Sequence, residues 1–189
     1  MMVFMRSMIL MLAAALALTA QPAGKYDYRV LATSKTGTMQ KEMNAAAEEG
    51  YVFASVMGGD TALGGKEVVV IMQKGTAANG GKRTYKLLAT NKTSTMQKEM
   101  NALGAEGYLY KGQTVFESTF GGQEVCVIME RDAAANGGAI EYRLLATSKT
   151  STMQKELREA GDAGFAMAGM TVAKTAFGGA ELVSILVKR

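Results

Sequence analysis

Tyr28-Arg29-Val30-Leu31-Ala32-Thr33 returns as Tyr85-Lys86-Leu87-Leu88-Ala89-Thr90 and again as Tyr142-Arg143-Leu144-Leu145-Ala146-Thr147. The spacing is 57 residues both times, with no insertion or deletion. Each copy runs on through Lys-Thr-Gly/Ser-Thr-Met-Gln-Lys-Glu and ends on an apolar stretch closed by Lys74, Arg131 or Lys188. A fixed period of this size is one supersecondary unit used three times. What one copy forms, and how copies stack, therefore decides the fold.

Side chains alternate along the opening stretch. Tyr28, Val30 and Ala32 share one face, the expected core face, and Arg29, Leu31 and Thr33 share the other. A helix follows. Ser94-Thr95-Met96-Gln97 and Ser151-Thr152-Met153-Gln154 match the Ser-x-x-Gln capping box with Ser as N-cap, and Gly37 takes that place in the first copy. Met39, Met43 and Ala46 recur at helical spacing, as do Met96, Met100 and Leu103, and Met153, Leu157 and Ala160. Core packing accounts for such a stripe better than a ligand surface does. Gly50, Gly107 and Gly164 stand where a left-handed residue ends a helix. Tyr51, Tyr108 and Phe165 follow and begin a second strand, with the ring folded over the last turn.

A Gly-Gly pair then turns the chain into a third strand, Glu67 to Met72, Glu124 to Met129 or Glu181 to Leu186. This strand is apolar on both faces, which suits a central, covered position. It is expected between the first and second strands and antiparallel to both, with a right-handed helical crossover joining the parallel pair. The fold class is α+β: three tandem βαββ modules, each a three-stranded sheet of order 1-3-2 with one helix on one face. Leu31, Val69 and Ile71 are expected on the face opposite the helix. Each unit, at 26–74, 83–131 and 140–189, has no more than 50 residues and is marginal alone. Its second face should be buried on another repeat or another chain. Gly75 to Gly81 and Asp132 to Gly138 read as linkers, compatible with close docking or with independent motion.

Residues 1–20 read as a secretory signal peptide. Arg6 lies in a basic start, Met8 to Leu18 is an apolar run too short to span a bilayer, and Ala20 offers a small residue for cleavage. No Cys follows the run, so lipid attachment of the bacterial lipoprotein type is not available. The expected location is a bacterial periplasm or the medium, with no stable membrane anchor after cleavage.

In the second copy, Met100-Asn101 leads into Leu103-Gly104-Ala105-Glu106-Gly107-Tyr108. This stretch resembles the signature of a small bacterial family, domain of unknown function 4177. That family has a Tyr-rich first strand, a helix ending in a Leu-Asn-x-Leu-Gly-x-x-Gly-Trp-like motif, and a closing strand ending in Lys or Arg. The likeness covers each repeat in outline and departs at Tyr51, Tyr108 and Phe165, where the family has Trp. It implies the fold and carries no catalytic residues with it.

Hydrophobic residues make up 48% and charged residues 20%, a globular composition. The formal net charge is +4, or about +3 once Arg6 is removed, and it is spread without a basic block. Together with export and the lack of a basic-aromatic strip, this argues against nucleic-acid binding. There is no His, no Trp and a single Cys, Cys126. That composition excludes a His base, a His-ligated metal, a Cys-pair metal site and an intrachain disulfide. Cys126 occupies the place of Val69 and Val183 and reads as a small buried hydrophobe; an exposed thiol used for dimerisation is the lesser alternative. Glu42, Glu99 and Glu156 lie in Lys-Glu pairs and read as solvated charge rather than as acids or bases.

The expected function is a non-enzymatic exported repeat protein that binds or scaffolds, without a cofactor, through apolar sheet faces that take a protein partner or another copy. The alternative is a small-anion or small-ligand binding protein. Its candidate residues are Lys35, Thr36 and Thr38, Lys92, Thr93 and Thr95, and Lys149, Thr150 and Thr152. Each set joins the first strand to the helix, where free N–H groups, hydroxyls and a cation converge. Of the opening 16 positions of a repeat, 11 are identical in all three copies, whereas the second strands share almost nothing. These loops lack the leading glycine spacing of a nucleotide-binding P-loop.

Overall fold

The structure is a computed structural model and describes residues 25–61, 65–75, 82–118, 122–135, 138–174 and 179–189. The expected signal peptide, residues 76–81 of the first linker and 136–137 of the second lie outside the described residues.

Three modules follow one another. The first is β1 (Tyr26–Thr33), α1 (Thr36–Glu48), β2 (Val52–Thr61) and β3 (Gly65–Gly75). The second is β4 (Arg83–Thr90), α2 (Thr93–Ala105), β5 (Leu109–Ser118) and β6 (Gly122–Asp132). The third is β7 (Glu141–Thr147), α3 (Thr150–Asp162), β8 (Ala166–Lys174) and β9 (Ala180–Lys188). The sheets have orders β1-β3-β2, β4-β6-β5 and β7-β9-β8, and every pairing is antiparallel. The α+β class and the 1-3-2 order are as the sequence implies. The second strands begin one residue after the aromatic residue rather than at it. Each carries a one-residue irregularity, at Ala54, Lys111 or Ala168.

The glycine-closed helix ends are Schellman motifs. In the first, the Tyr51 amide donates to Ala46 O at 3.0 Å and the Gly50 amide to Ala47 O at 2.9 Å. The same pairs recur as Tyr108 to Leu103 with Gly107 to Gly104, and as Phe165 to Ala160 with Gly164 to Gly161. The three glycines have φ of 91°, 83° and 85°. Each following ring is buried and carries a cation over its face. Arg29 lies 4.4 Å from the Tyr51 centroid, Arg131 5.0 Å from Tyr108, and Arg143 4.3 Å from Phe165. The closing residues Lys74 and Lys188 also approach the Tyr51 and Phe165 centroids, at 5.7 and 5.6 Å, so cations of the first and last strands together clamp the helix end.

The helix starts differ from expectation. Lys35, Lys92 and Lys149 are the N-caps, and no side chain caps any of the three helices. The capping box at Ser94 and Ser151 does not form, because the helix begins one residue before each Ser. Thr33, Thr90 and Thr147 instead turn the chain, each accepting a bond from the amide two residues on.

The face assignment is also corrected. Val30 lies opposite Ile71 and Ala32 opposite Val69, while Leu31 lies opposite Val70. Directly paired residues share a face. Leu31, Val68, Val70 and Met72 therefore form the face under α1, and Tyr28, Val30, Ala32, Val69 and Ile71 form the other.

That second face is where the repeats meet. In one core, Met39, Met43 and Ala46 of α1 lie between Val68, Val70 and Met72 of their own sheet and Tyr85, Cys126 and Ile128 of the next. A second core repeats the arrangement: Met96 and Met100 sit between Val125, Val127 and Met129 on one side and Tyr142, Leu144 and Ile185 on the other. The order is sheet, α1, sheet, α2, sheet, α3. The linkers join closely docked modules.

Polar groups make the joints specific. β4 is a sheet edge, and an edge leaves backbone groups unpaired. Asn44 donates to Tyr85 O at 3.0 Å and accepts from Tyr85 N at 2.8 Å, and Gln40 accepts from Leu87 N at 3.0 Å. On the edge of β7, Asn101 serves both groups of Tyr142, and Gln97 accepts from Leu144 N. The Tyr85 hydroxyl accepts from Phe53 N across the first joint, and the Tyr142 hydroxyl accepts from Tyr110 N across the second. These contacts give a physical use to the identical Tyr and Gln positions of the three copies.

Candidate functional site

Among the described residues, the stack has two ends without a neighbour. At the first end, Tyr28 is 59% exposed and Val30 64% exposed, whereas the equivalent Tyr85 and Tyr142 are 0% and 1% exposed. Tyr26 and Met57 join them on the same face, over half-buried Val69 and Ile71. At the other end, Met167, Met170 and Val172 of β8 are exposed beside α3. Their register partners Leu186, Ser184 and Leu182 place them on the outer side of the last sheet. Every strongly exposed large hydrophobic among the described residues lies on one of these two faces. Single exposed apolar residues are ordinary, but here they are confined to two faces, which makes these the candidate surfaces.

The two ends are not alike. α3 has Arg158 where α1 and α2 have Asn44 and Asn101, and Glu159 where they have Ala45 and Ala102. Gln154 and Arg158 are exposed, and under α3 the core is small: Ala160, Phe165 and Leu186. The first end is an aromatic and β-branched sheet face. The last end is a more polar helix beside three apolar strand residues.

The Lys-Thr-x-Thr loops are placed as three equivalent, separate turns. Lys35, Lys92 and Lys149 are exposed; Thr36, Thr93, Thr95 and Thr152 are half-buried, and Thr38 and Thr150 are exposed. The Thr38 amide donates to Lys35 O at 3.0 Å and so is already used. Among the described pockets, none is lined by two of these loops. A narrow crevice brings Lys92 and Thr93 to Lys174 over Met96 and Leu144. A wider cleft of about 390 Å³ touches Thr93 and Ser94 but is bordered by Glu156 and Glu181, which oppose an anion there. Of the candidate acids, Glu99 is exposed, and Glu42 and Glu156 are half-buried.

Cys126 is fully buried, and desolvation, with a smaller contribution from Glu124, pushes its thiol up to about 12. It is core, as its counterpart Val183 is, whereas Val69 is half-buried on the open face of the first sheet. Glu130 is the buried acid that sequence reasoning missed. It accepts from the Tyr85 hydroxyl at 2.6 Å and faces Lys111 at 3.4 Å and Arg83 at 3.8 Å. Burial first, and that hydrogen bond second, hold the Tyr85 phenol above its ordinary range. The group therefore belongs to the first joint as a buried polar network, in which Arg83 Nε makes no hydrogen bond. Only its place in a predominantly apolar third strand could have flagged it.

The fold and these surfaces define a tandem array of three stacked βαββ modules with unlike open ends. No known protein family, curated protein or solved structure matches the chain. No helix among the described residues is long and apolar enough to cross a membrane.

Proposed function

We propose that the chain is an exported, non-enzymatic repeat protein that binds or scaffolds a protein partner through the open face of its first sheet. The observation that carries this reading is the exposure of Tyr28 and Val30, at positions that the other two repeats bury against a helix. A face built for packing and left without a neighbour among the described residues favours a protein ligand. The leader at 1–20 supports a bacterial periplasmic or secreted location. The resemblance to domain of unknown function 4177 belongs to the same proposal, supported by the glycine-closed helix end with its packed aromatic.

The test is site-specific photo-crosslinking in an exporting bacterial host. A photoreactive residue at position 30 should yield protein adducts, and one at exposed Lys98 should not. Absence of adducts at both position 30 and position 57 overturns the reading.

Anion binding at the Lys-Thr-x-Thr loops is the second reading. It is favoured by the three helix starts that no side chain caps. A single exposed helix terminus contributes about 0.3–1 kcal/mol, so the expected affinity for phosphate is weak. An NMR titration should move the amides around Thr36, Thr93 and Thr150 before all others. Unmoved amides leave the loops as plain turns.

A further inference from the structure

We infer that the two open ends recognise each other, so that copies of the chain associate head to tail, the open face of the first sheet receiving α3 and β8 of the next copy. This rests on the protein-binding reading above and names the partner as a second copy.

The same contact is already made twice inside the chain. At each joint a helix gives its Gln and Asn to the edge of the following first strand. The strand after that helix also packs on the following sheet. Phe53 of β2 meets Gly112, and Tyr110 of β5 meets Gly169. Among the described residues, the last repeat keeps the helix side of this contact with nothing to receive it. Gln154 repeats Gln40 and Gln97 and is exposed. Gly161 repeats Gly104, where a Cβ would come within 2.2 Å of Ile140 O, yet Gly161 has nothing within 4 Å. Met167 and Met170 take the places of Phe53 and Val56, apolar and solvent-facing.

The first repeat keeps the receiving side. Tyr28 and Val30 stand where Tyr85 and Leu87 take the helix of the preceding repeat. Ser55 is exposed and stands where Gly112 and Gly169 receive an aromatic residue; its Cβ takes space that those glycines leave open, and the residue arriving from the other copy is the flexible Met167 in place of a ring. Val172, in the place of Gly58, is no obstacle, because the second joint already holds Val115 there.

A further departure from the pattern lies on α3. Arg158 replaces Asn44 and Asn101, and a guanidinium donates but cannot accept. It can serve Tyr28 O but leaves Tyr28 N–H to water. The contact between copies is therefore weaker than either joint within the chain, and reversible. Because the two surfaces differ, the contact is heterologous and adds copies until a ring closes or a filament forms.

The test is sedimentation of the chain as released by an exporting host, over a concentration series up to about 1 mM, the weak end of specific affinities. The expected result is growth beyond dimer. Val30→Glu disables the first end and Met167→Glu the last, both at exposed sites, with thermal melts as a folding control. Each variant alone should be monomeric, and an equal mixture should give a one-to-one complex through the remaining pair of ends. Arg158→Asn restores the missing acceptor and should shift association to about tenfold lower concentration, the worth of one hydrogen bond. A wild-type chain that stays monomeric throughout overturns the inference. So does a Met167→Glu variant that still dimerises while Val30→Glu does not, since that is a face-to-face contact of two first ends. A monomer whose position 30 still crosslinks to another protein overturns self-association and leaves the protein-binding reading standing.

Discussion

Replacing Gly104 by Ala inserts one methyl group between α2 and the third repeat. Its Cβ would lie 2.2 Å from Ile140 O and 3.1 Å from Tyr142 Cε2. Ordinary contact begins near 3.4 Å, so the helix must recede by more than about 1 Å. Overpacking of this kind costs about 1–3 kcal/mol. The same movement stretches the bond from Ile140 N to Gly104 O, now 3.1 Å, worth about 1 kcal/mol. Higher helix propensity of Ala returns about 1 kcal/mol. The net expectation is a loss of about 1–3 kcal/mol. For a chain of this length that lowers Tm by about 3–8 °C. The control is Gly161→Ala, the equivalent residue of α3, where no atom lies within 4 Å. There only the propensity remains, and Tm should rise by about 2–4 °C. Thermal unfolding of both variants at low protein concentration decides the matter. Two changes of the same sign and size would mean that α2 does not pack on β7 in solution.

Gly107→Val tests the Schellman end: a Cβ there has open space but φ is 83°, so the cost is conformational, about 1–2 kcal/mol by urea denaturation. Asn101→Ala leaves both backbone groups of Tyr142 without their protein partner; a loss of about 1–3 kcal/mol and faster hydrogen exchange at the Tyr142 amide are expected, and unchanged exchange would refute the edge-covering role. Cys126→Val should flatten the alkaline fall in stability. The folded thiol is raised to about 12 and the unfolded one ionises near ~8.5, so the unfolded state loses its proton first and stability drops as pH climbs between these values. A stability profile unchanged by Cys126→Val above pH ~9 would show that the thiol is not buried as described.

Expectation and structure differ at the helix starts, where Lys35, Lys92 and Lys149 are the N-caps, and in which sheet face each helix covers. The helix stripe of Met39, Met43 and Ala46 was legible because helical spacing forces those residues onto one side. Gly50, Gly107 and Gly164 were legible because only a glycine accepts the left-handed backbone there without strain. The central place of the third strand followed from its two apolar faces. The face of Tyr28, by contrast, was read as the side under its own helix. Alternation separates two faces but does not say which one the helix covers; the antiparallel register of β1 on β3 does. The Lys-Thr-x-Thr loops attracted a ligand reading from the identity of the three copies, yet part of that identity serves packing, since Gln40 and Gln97 serve the next strand edge.

The amino-acid sequence alone determined the repeat, its βαββ content, the strand order and the glycine-closed C-terminal ends of the helices. These depend on local periodicity and on residues with restricted backbone choice, both of which act over a few neighbouring positions. Tertiary structure alone decided that each helix is shared by two sheets, that Asn44 and Asn101 cover strand edges, and that Tyr28 and Met167 face solvent while their equivalents pack at the joints. Those facts depend on which neighbour a repeat has. Identical residues in the first, middle and last positions of a stack meet different surroundings, and a sequence pattern carries no record of that difference.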